Sequence, residues 1–99
     1  MINHVVLFKL KDYSAEQKAE VLAELKGLLL GLKDKIEELK YIEVGENYEL
    51  NSKSYDLALL SHFESVEDLD VYRVHPEHLK VVARIGETTV ERAAVDFRF

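Results

Sequence analysis

The first residues of the chain alternate between two faces over residues 2–10, where apolar and β-branched side chains occur on both faces. This period of two predicts a strand that is covered on both sides. Residues 40–49 and 55–63 alternate in the same way and predict two further strands, joined as a hairpin through a loop at 50–54. Residues 92–99 predict a closing strand.

A first helix is predicted between the first two strands. Ser14 begins a capping box with Gln17, and apolar residues then recur on one helical face as far as Leu39. Glycine weakens a helix, so we expect a break near Gly31 and a short helical continuation over 33–38.

A second helical segment is divided by the only proline of the chain. Ser65 caps a helix that runs to about Arg73. It must end before Pro76, because the residue that precedes a proline is steered away from helical angles. Proline is well suited to the first position of a new helix, so we expect His75 to cap that helix and Glu77 to complement its dipole.

The order β-α-β-β-α-(α)-β predicts an α+β fold of the ferredoxin-like, split βαβ type, with a four-stranded antiparallel sheet and helices on one face. With 99 residues, we expect one domain over 1–99. The helix-free face of the sheet is predicted to carry apolar side chains and the histidine His62. The apolar side chains are Val5, Leu7, Ala58, Leu60, Val95 and Phe97. Such a face needs a partner, so we expect a homodimer formed through it.

Composition narrows the classes of function. Thirteen Lys and Arg against nineteen Asp and Glu give a net charge of −6, which opposes binding to nucleic acid or to an anionic membrane surface. The absence of cysteine excludes disulfides and thiolate chemistry. The first residues lack the basic and apolar regions of a signal peptide, and no apolar stretch is long enough to span a bilayer. We expect a soluble, cytoplasmic protein.

Five segments of the chain share residues with a known family. They are HVVLFKLK at 4–11, VG at 44–45, YDLALLSHFES at 55–65, YRVHPEHLKVV at 72–82 and VDF at 95–97. In order and spacing they resemble the stress-responsive A/B barrel (Dabb) family over essentially the whole chain. The resemblance implies a dimeric α/β barrel in which two ferredoxin-like sheets pack face to face.

The resemblance also implies candidate site residues. In the polyketide cyclases of the family, a tyrosine and a histidine of the Tyr-x-x-His-Pro-x-His motif act inside a pocket between the sheet and the helices. These roles would fall on Tyr72 and His78, and a pocket histidine of the first strand corresponds to His4. Leu57 stands where the cyclases carry a further pocket histidine, so the chain departs from the cyclase pattern there.

The residues themselves leave several interpretations open. A metal needs three or four convergent ligands, which the pair His75 and His78 does not supply, so we expect no metal and no other cofactor. His78 titrates near neutral pH and could exchange a proton with a ligand while Tyr72 donates to its oxygen. In the structural alternative, His78 bonds to nearby backbone and Tyr72 fills the core. His4 allows the same two interpretations.

Arg92 alternates with Ala94 and Asp96 on one face of the last predicted strand. A buried or half-buried arginine is usually paired, so we expect Arg92 to pair with a carboxylate. Contact with an anionic ligand is the alternative.

Three hypotheses of function follow. The first is a protein with an apolar pocket that binds a small hydrophobic, carbonyl-containing ligand and supports proton transfer of the polyketide-cyclase kind at Tyr72, His78 and His4. The second is a non-catalytic dimeric stress or accessory protein whose histidines are structural. The third is a cofactor-free oxygenase, since such enzymes share the same barrel.

Overall fold

The computed structural model describes residues 1–49 and 53–99. Within these ranges the elements follow the predicted order. They are β1 (Ile2–Leu10), α1 (Ala15–Gly31), a 3₁₀ turn (Leu32–Asp34), β2 (Tyr41–Glu46), β3 (Leu57–Phe63), α2 (Val66–Val74), α3 (Pro76–Thr88) and β4 (Thr89–Arg98). The predicted loop over 50–54 falls in part on residues 50–52, which lie outside the described residues. No helix in the described ranges is long and apolar enough to cross a membrane.

The four strands form one antiparallel sheet in the order β2-β3-β1-β4. The first strand lies in the centre, so that Val5 faces Leu60 of β3 on one side and Val95 of β4 on the other. This is the predicted ferredoxin-like α+β fold, and the expectation from the alternating pattern is confirmed.

The two faces of the sheet differ in burial. The even-numbered residues of β1 are buried in a core that α1 completes with Leu25 and Leu29. The odd-numbered residues lie on the opposite face, where Leu7 and Phe97 remain exposed. The division matches the period of two in the sequence, which sends successive side chains to opposite faces.

The strand ends differ from the predicted limits. The third strand starts at Leu57 rather than at residue 55, and Asp56, directly before it, fixes the end of β1. Its buried carboxylate accepts a hydrogen bond of 2.8 Å from the N–H of Leu10 and lies 3.2 Å from Nζ of Lys18. The last strand begins at Thr89, three residues earlier than predicted, because its backbone pairs with Leu10 directly after α3.

The first two helices begin at the serine caps that the sequence predicts. Oγ of Ser14 accepts a hydrogen bond from the N–H of Gln17 at 3.2 Å, and Oγ of Ser65 accepts one from Asp68 at 3.1 Å. The first helix ends at Gly31 as expected. The continuation beyond it is a single 3₁₀ turn, Leu32–Asp34, and is shorter than the predicted 33–38.

The helix break at the proline is confirmed. His75 has extended backbone angles, φ −62° and ψ 133°, and it ends α2 and caps α3 at the same time. The N–H of Glu77 donates a hydrogen bond of 3.1 Å to Nδ1 of His75. Pro76 occupies the first helical position, where its missing N–H has no cost.

Replacing His75 with alanine removes this cap, and we expect the free energy of unfolding to fall by about 1 kcal/mol. His75→Asn is the matched control, because asparagine is a strong capping residue and should preserve stability. Urea denaturation followed by circular dichroism measures both variants. Equal stability of the alanine variant and the unmodified protein would show that the His75 side chain contributes no cap.

Candidate functional site

A cavity of about 380 Å³ lies on the helical side of the sheet, between β1, β4 and α3. Its wall is mainly apolar and includes Val6, Phe8, Leu29, Leu59, Leu79, Val82 and Ile85. The side chains with polar groups at this wall are His4, Arg73, His78, Thr89 and Arg92. A mostly apolar wall with a few polar groups is typical of a small-molecule site.

The helix break positions His78 at this cavity. In a continuous helix the carbonyl of Arg73 would accept a hydrogen bond from the N–H of Glu77, four residues later. That N–H donates instead to His75, so the Arg73 carbonyl is left without a helical partner. Nδ1 of His78 lies 3.1 Å from this carbonyl oxygen and satisfies it.

The hydrogen bond also defines which nitrogen of His78 is basic. A carbonyl oxygen only accepts, so Nδ1 must carry the proton and Nε2 holds the lone pair of the neutral ring. Burial lowers the pKa of His78 below its ordinary value. The backbone bond to Arg73 opposes this shift, while the nearby His4 and Arg92 add to it. The ring is therefore neutral at pH 7 and able to accept a proton.

His4 is held by a chain of charged side chains. It is only 6% exposed, and its Nδ1 contacts Oδ1 of Asp96 on the neighbouring strand. The other carboxylate oxygen of Asp96 accepts a hydrogen bond of 2.8 Å from Arg73, which also bonds to Asp70 at 3.0 Å. Since a carboxylate only accepts from a ring N–H, Nδ1 of His4 carries a proton and Nε2 is the remaining basic nitrogen.

Tyr72 does not line the cavity, unlike His4 and His78, so the structure does not bring its hydroxyl to the expected shared site. Its side chain is fully buried, with ring centroids 4.1 Å from His78, 4.9 Å from Phe63 and 6.2 Å from His4. Burial raises the pKa of Tyr72 to about 12, and its hydroxyl has no hydrogen-bond partner among the described residues. The ring fills the core, as the structural interpretation predicts.

Arg92 also lacks the contact that was expected for it. It lines the cavity, but within the described ranges no carboxylate pairs with it. The carboxylate nearest in sequence on its strand face, Asp96, is already engaged by His4 and Arg73. The expected ion pair of Arg92 is therefore absent among the described residues, and Arg73 pairs with Asp96 instead.

The contacts of Asp96 and Arg73 were not predicted from the sequence. A signal for Asp96 was available: pairing of the first and last strands in an antiparallel sheet places His4 directly opposite it. The contact of Arg73 with Asp96 joins residues 23 positions apart on different elements, so no local pattern reveals it.

The remaining candidates lie elsewhere. His62 is on the helix-free face, with its ring 4.6 Å from Tyr41 and 4.7 Å from Phe99. Leu57 is buried and lies outside the cavity wall. It borders a concavity of about 510 Å³ that is more open to solvent and contains no histidine. In the part of the chain that the structure describes, no group of three or more histidine and carboxylate residues could hold a metal ion.

Fold and cavity define the chain as a ferredoxin-like α+β protein with a ligand-sized space between sheet and helices. The family model of the stress responsive A/B barrel domain (Dabb) matches residues 2–99. The chain belongs to this family, as the resemblance indicated.

Three relatives place the chain within the family. An uncharacterized protein of Streptomyces coelicolor is 35% identical, over 84% of each chain. The stress-response A/B barrel domain-containing protein DABB1 of Arabidopsis thaliana is 26% identical, over 98% of this chain but only 46% of the relative's length. A dimeric protein of unknown function from Bacteroides fragilis has a crystal structure with a TM-score of 0.90 and 36% identity, covering 99% of this chain and 95% of that one.

Two enzymes share the fold at lower identity. A hydroxynitrile lyase from Passiflora edulis has a TM-score of 0.75 at 16% identity, over 97% of this chain and 90% of that one. A putative antibiotic biosynthesis monooxygenase from Nitrosomonas europaea has a TM-score of 0.77 at 12% identity, over 100% of this chain and 98% of that one. At these identities the likeness concerns the fold alone.

The lowered pKa of His78 predicts a pH dependence of stability. Between the folded pKa and the unfolded value of about 6.5, the unfolded chain binds more protons than the folded one. The free energy of unfolding should therefore fall as the pH drops from 7.5 through 6. In His78→Asn this loss should be smaller, because the contribution of this ring is gone.

Urea denaturation at several pH values measures the slope, and NMR titration of the ring protons measures the His78 pKa directly. His75→Asn is the comparison: His75 adds the least of the named groups to the lowered pKa of His78, so this variant should change the slope less than His78→Asn does. A His78 ring that titrates at or above the value of an unfolded histidine would contradict the assignment.

Proposed function

We propose that the chain is a small-molecule protein of the Dabb family, in which His4 and His78 exchange protons with a hydrophobic, carbonyl-containing ligand in the cavity. One observation carries the proposal. Two histidines from different elements line the same apolar cavity, and each has its Nδ1 occupied by a protein acceptor, which leaves Nε2 as the basic atom.

The two histidines suit different steps of a proton transfer. His78 is kept neutral by burial and by the nearby positive charge, so it is suited to remove a proton from the carbon beside a carbonyl group. His4 is backed by the carboxylate of Asp96, which can stabilise a positive charge on the ring, so the doubly protonated ring is suited to supply its Nε2 proton to the carbonyl oxygen and to return to the neutral form. Such a pair in contrasting environments is the usual arrangement of an acid and a base.

Tyr72 has a supporting role in this proposal. Its ring packs against His78, and its hydroxyl is sealed from the cavity. The phenol would hold the histidine in place and would not touch the ligand. In this proposal the chemistry uses side chains alone, with neither a metal nor a nucleotide, within a single domain over 1–99.

Exchange of hydrogen for deuterium tests the proposal without knowledge of the natural ligand. Alkyl phenyl ketones in D₂O lose the ¹H NMR signal of the carbon beside the carbonyl when a base removes that proton. We expect the protein to accelerate this loss. His4→Asn and His78→Asn should each reduce the acceleration by about 100-fold, the lower range for general acid–base catalysis.

Two further variants test whether the effect is specific to the two histidines of the cavity wall. His75→Asn, a histidine change outside the cavity wall, should leave the exchange rate unchanged, and Tyr72→Phe should retain it within a few-fold. Binding of the ketones without any exchange would refute the acid–base role and favour a binding protein. Absence of both binding and exchange would refute the cavity as a carbonyl site.

We also propose that the chain forms a homodimer through the helix-free face of the sheet. Val5 faces Leu60 of β3 and Val95 of β4 there, and Leu7 and Phe97 lie two positions farther along β1 and β4 on the same face, which makes the surface apolar. Large exposed apolar surfaces of this kind usually mark an interface. The Bacteroides fragilis relative, 36% identical, is dimeric.

A charge on this face should break the dimer. Phe97 is 44% exposed in the single chain, and Phe97→Asp would bury an unpaired carboxylate in the interface. Val66 on α2 is similarly exposed at 40%, so Val66→Asp is a matched control that should leave assembly unchanged. Light scattering on both variants measures the mass. A monomeric unmodified protein would refute this proposal.

A further inference from the structure

We propose that the ligand of the cavity is a carboxylic acid, and that Arg92 binds its carboxylate while the apolar wall takes its hydrocarbon part. The inference rests on the proposed function and adds the chemical class of the ligand and a binding residue. The charges around the cavity are the first evidence for it.

The ionisable side chains at the cavity wall are basic, whereas the chain as a whole is acidic. The protein carries a net charge of −6. Yet the described residues that line the cavity include two arginines and two histidines, and no aspartate or glutamate. A positive charge at such a wall attracts a negatively charged ligand only if no carboxylate of the protein already balances it.

Arg92 is the cation that remains available. The guanidinium of Arg73 is occupied by Asp70 and Asp96, and the second oxygen of Asp96 contacts His4. Arg92 lies on the same strand face, but Ala94 separates it from Asp96 and no described carboxylate forms an ion pair with it. An arginine presents two parallel N–H groups, which match the two oxygens of a carboxylate.

The position of Arg92 fits the proposed chemistry. It pairs in register with Phe8 of β1, so a carboxylate at Arg92 would place the adjoining hydrocarbon against this part of the apolar wall. Its charge is near enough to lower the pKa of His78. Arg92 and His78 line the same cavity, so a ligand bound at Arg92 would share that space with His78. One free arginine in a largely apolar wall suits the single charge of a carboxylate better than the double charge of a phosphate.

Octanoate and octanol provide a matched pair of probes, because they differ only in the charged group. Titration of each into ¹⁵N-labelled protein, followed by NMR, gives the affinity and shows whether cavity residues respond. We expect octanoate to bind more tightly than octanol. Arg92→Met should weaken octanoate binding by about tenfold, the order expected for a lost charge-assisted hydrogen bond, and should leave octanol binding unchanged.

Arg98→Met is the control, since it removes the same charge from the same strand face at a position outside the cavity wall. It should leave both affinities unchanged. Arg92→Lys tests the geometry: it keeps the charge without the paired N–H groups, and it should bind octanoate with intermediate affinity. Arg92 is exposed, so these variants should fold, and circular dichroism checks that they do.

The outcomes distinguish this inference from the proposed function. Equal affinity for octanoate and octanol, or an octanoate affinity that Arg92→Met does not change, would overturn the carboxylate assignment and leave the apolar cavity intact. If Arg92→Met and Arg98→Met weaken octanoate equally, the effect is one of net charge and the assignment is again overturned. If neither probe perturbs any cavity residue, both this inference and the cavity as a ligand site fail.

Discussion

The conflict between Pro76 and a continuous helix is the constraint on which the site depends. A proline cannot follow a residue in helical conformation without a clash, so the chain must turn at His75 and start a new helix. The turn deprives the Arg73 carbonyl of its helical partner, and the ring of His78 replaces it. One covalent restriction on the backbone therefore determines where a side chain with chemical function lies and which of its nitrogens is basic.

Arg73 connects the two histidines of the cavity. Its backbone carbonyl orients His78, and its guanidinium holds Asp96, which in turn orients His4. The last turn of α2 is thus linked to β1 and β4 through one residue. Because hydrogen-bonded networks of this kind respond as a unit, a shift of α2 relative to the sheet would alter both rings together.

Much of the fold follows from local sequence patterns. The period-two segments, the serine caps and the proline specify the strands and helices with errors of a few residues at the ends. The contacts of the candidate site are harder to predict from local sequence patterns. The contact between His4 and Asp96 requires knowledge of the strand register, and the freedom of Arg92 requires knowledge that Arg73 reaches Asp96 across 23 residues. The burial of Tyr72 against Phe63 is a property of packing, which the spacing of residues in the sequence does not reveal.

The side chains of β4 contribute to the cavity on one face of the sheet and to the apolar surface on the other. The register of the strand determines which residues lie on each face. Arg92 lines the cavity and Asp96, on the same face, holds His4, while Val95 and Phe97 lie on the helix-free face. Since successive residues of a strand face opposite ways, one inserted residue before Arg92 would exchange the two sets. Hydrocarbon would then face the cavity, and charge would face the apolar surface.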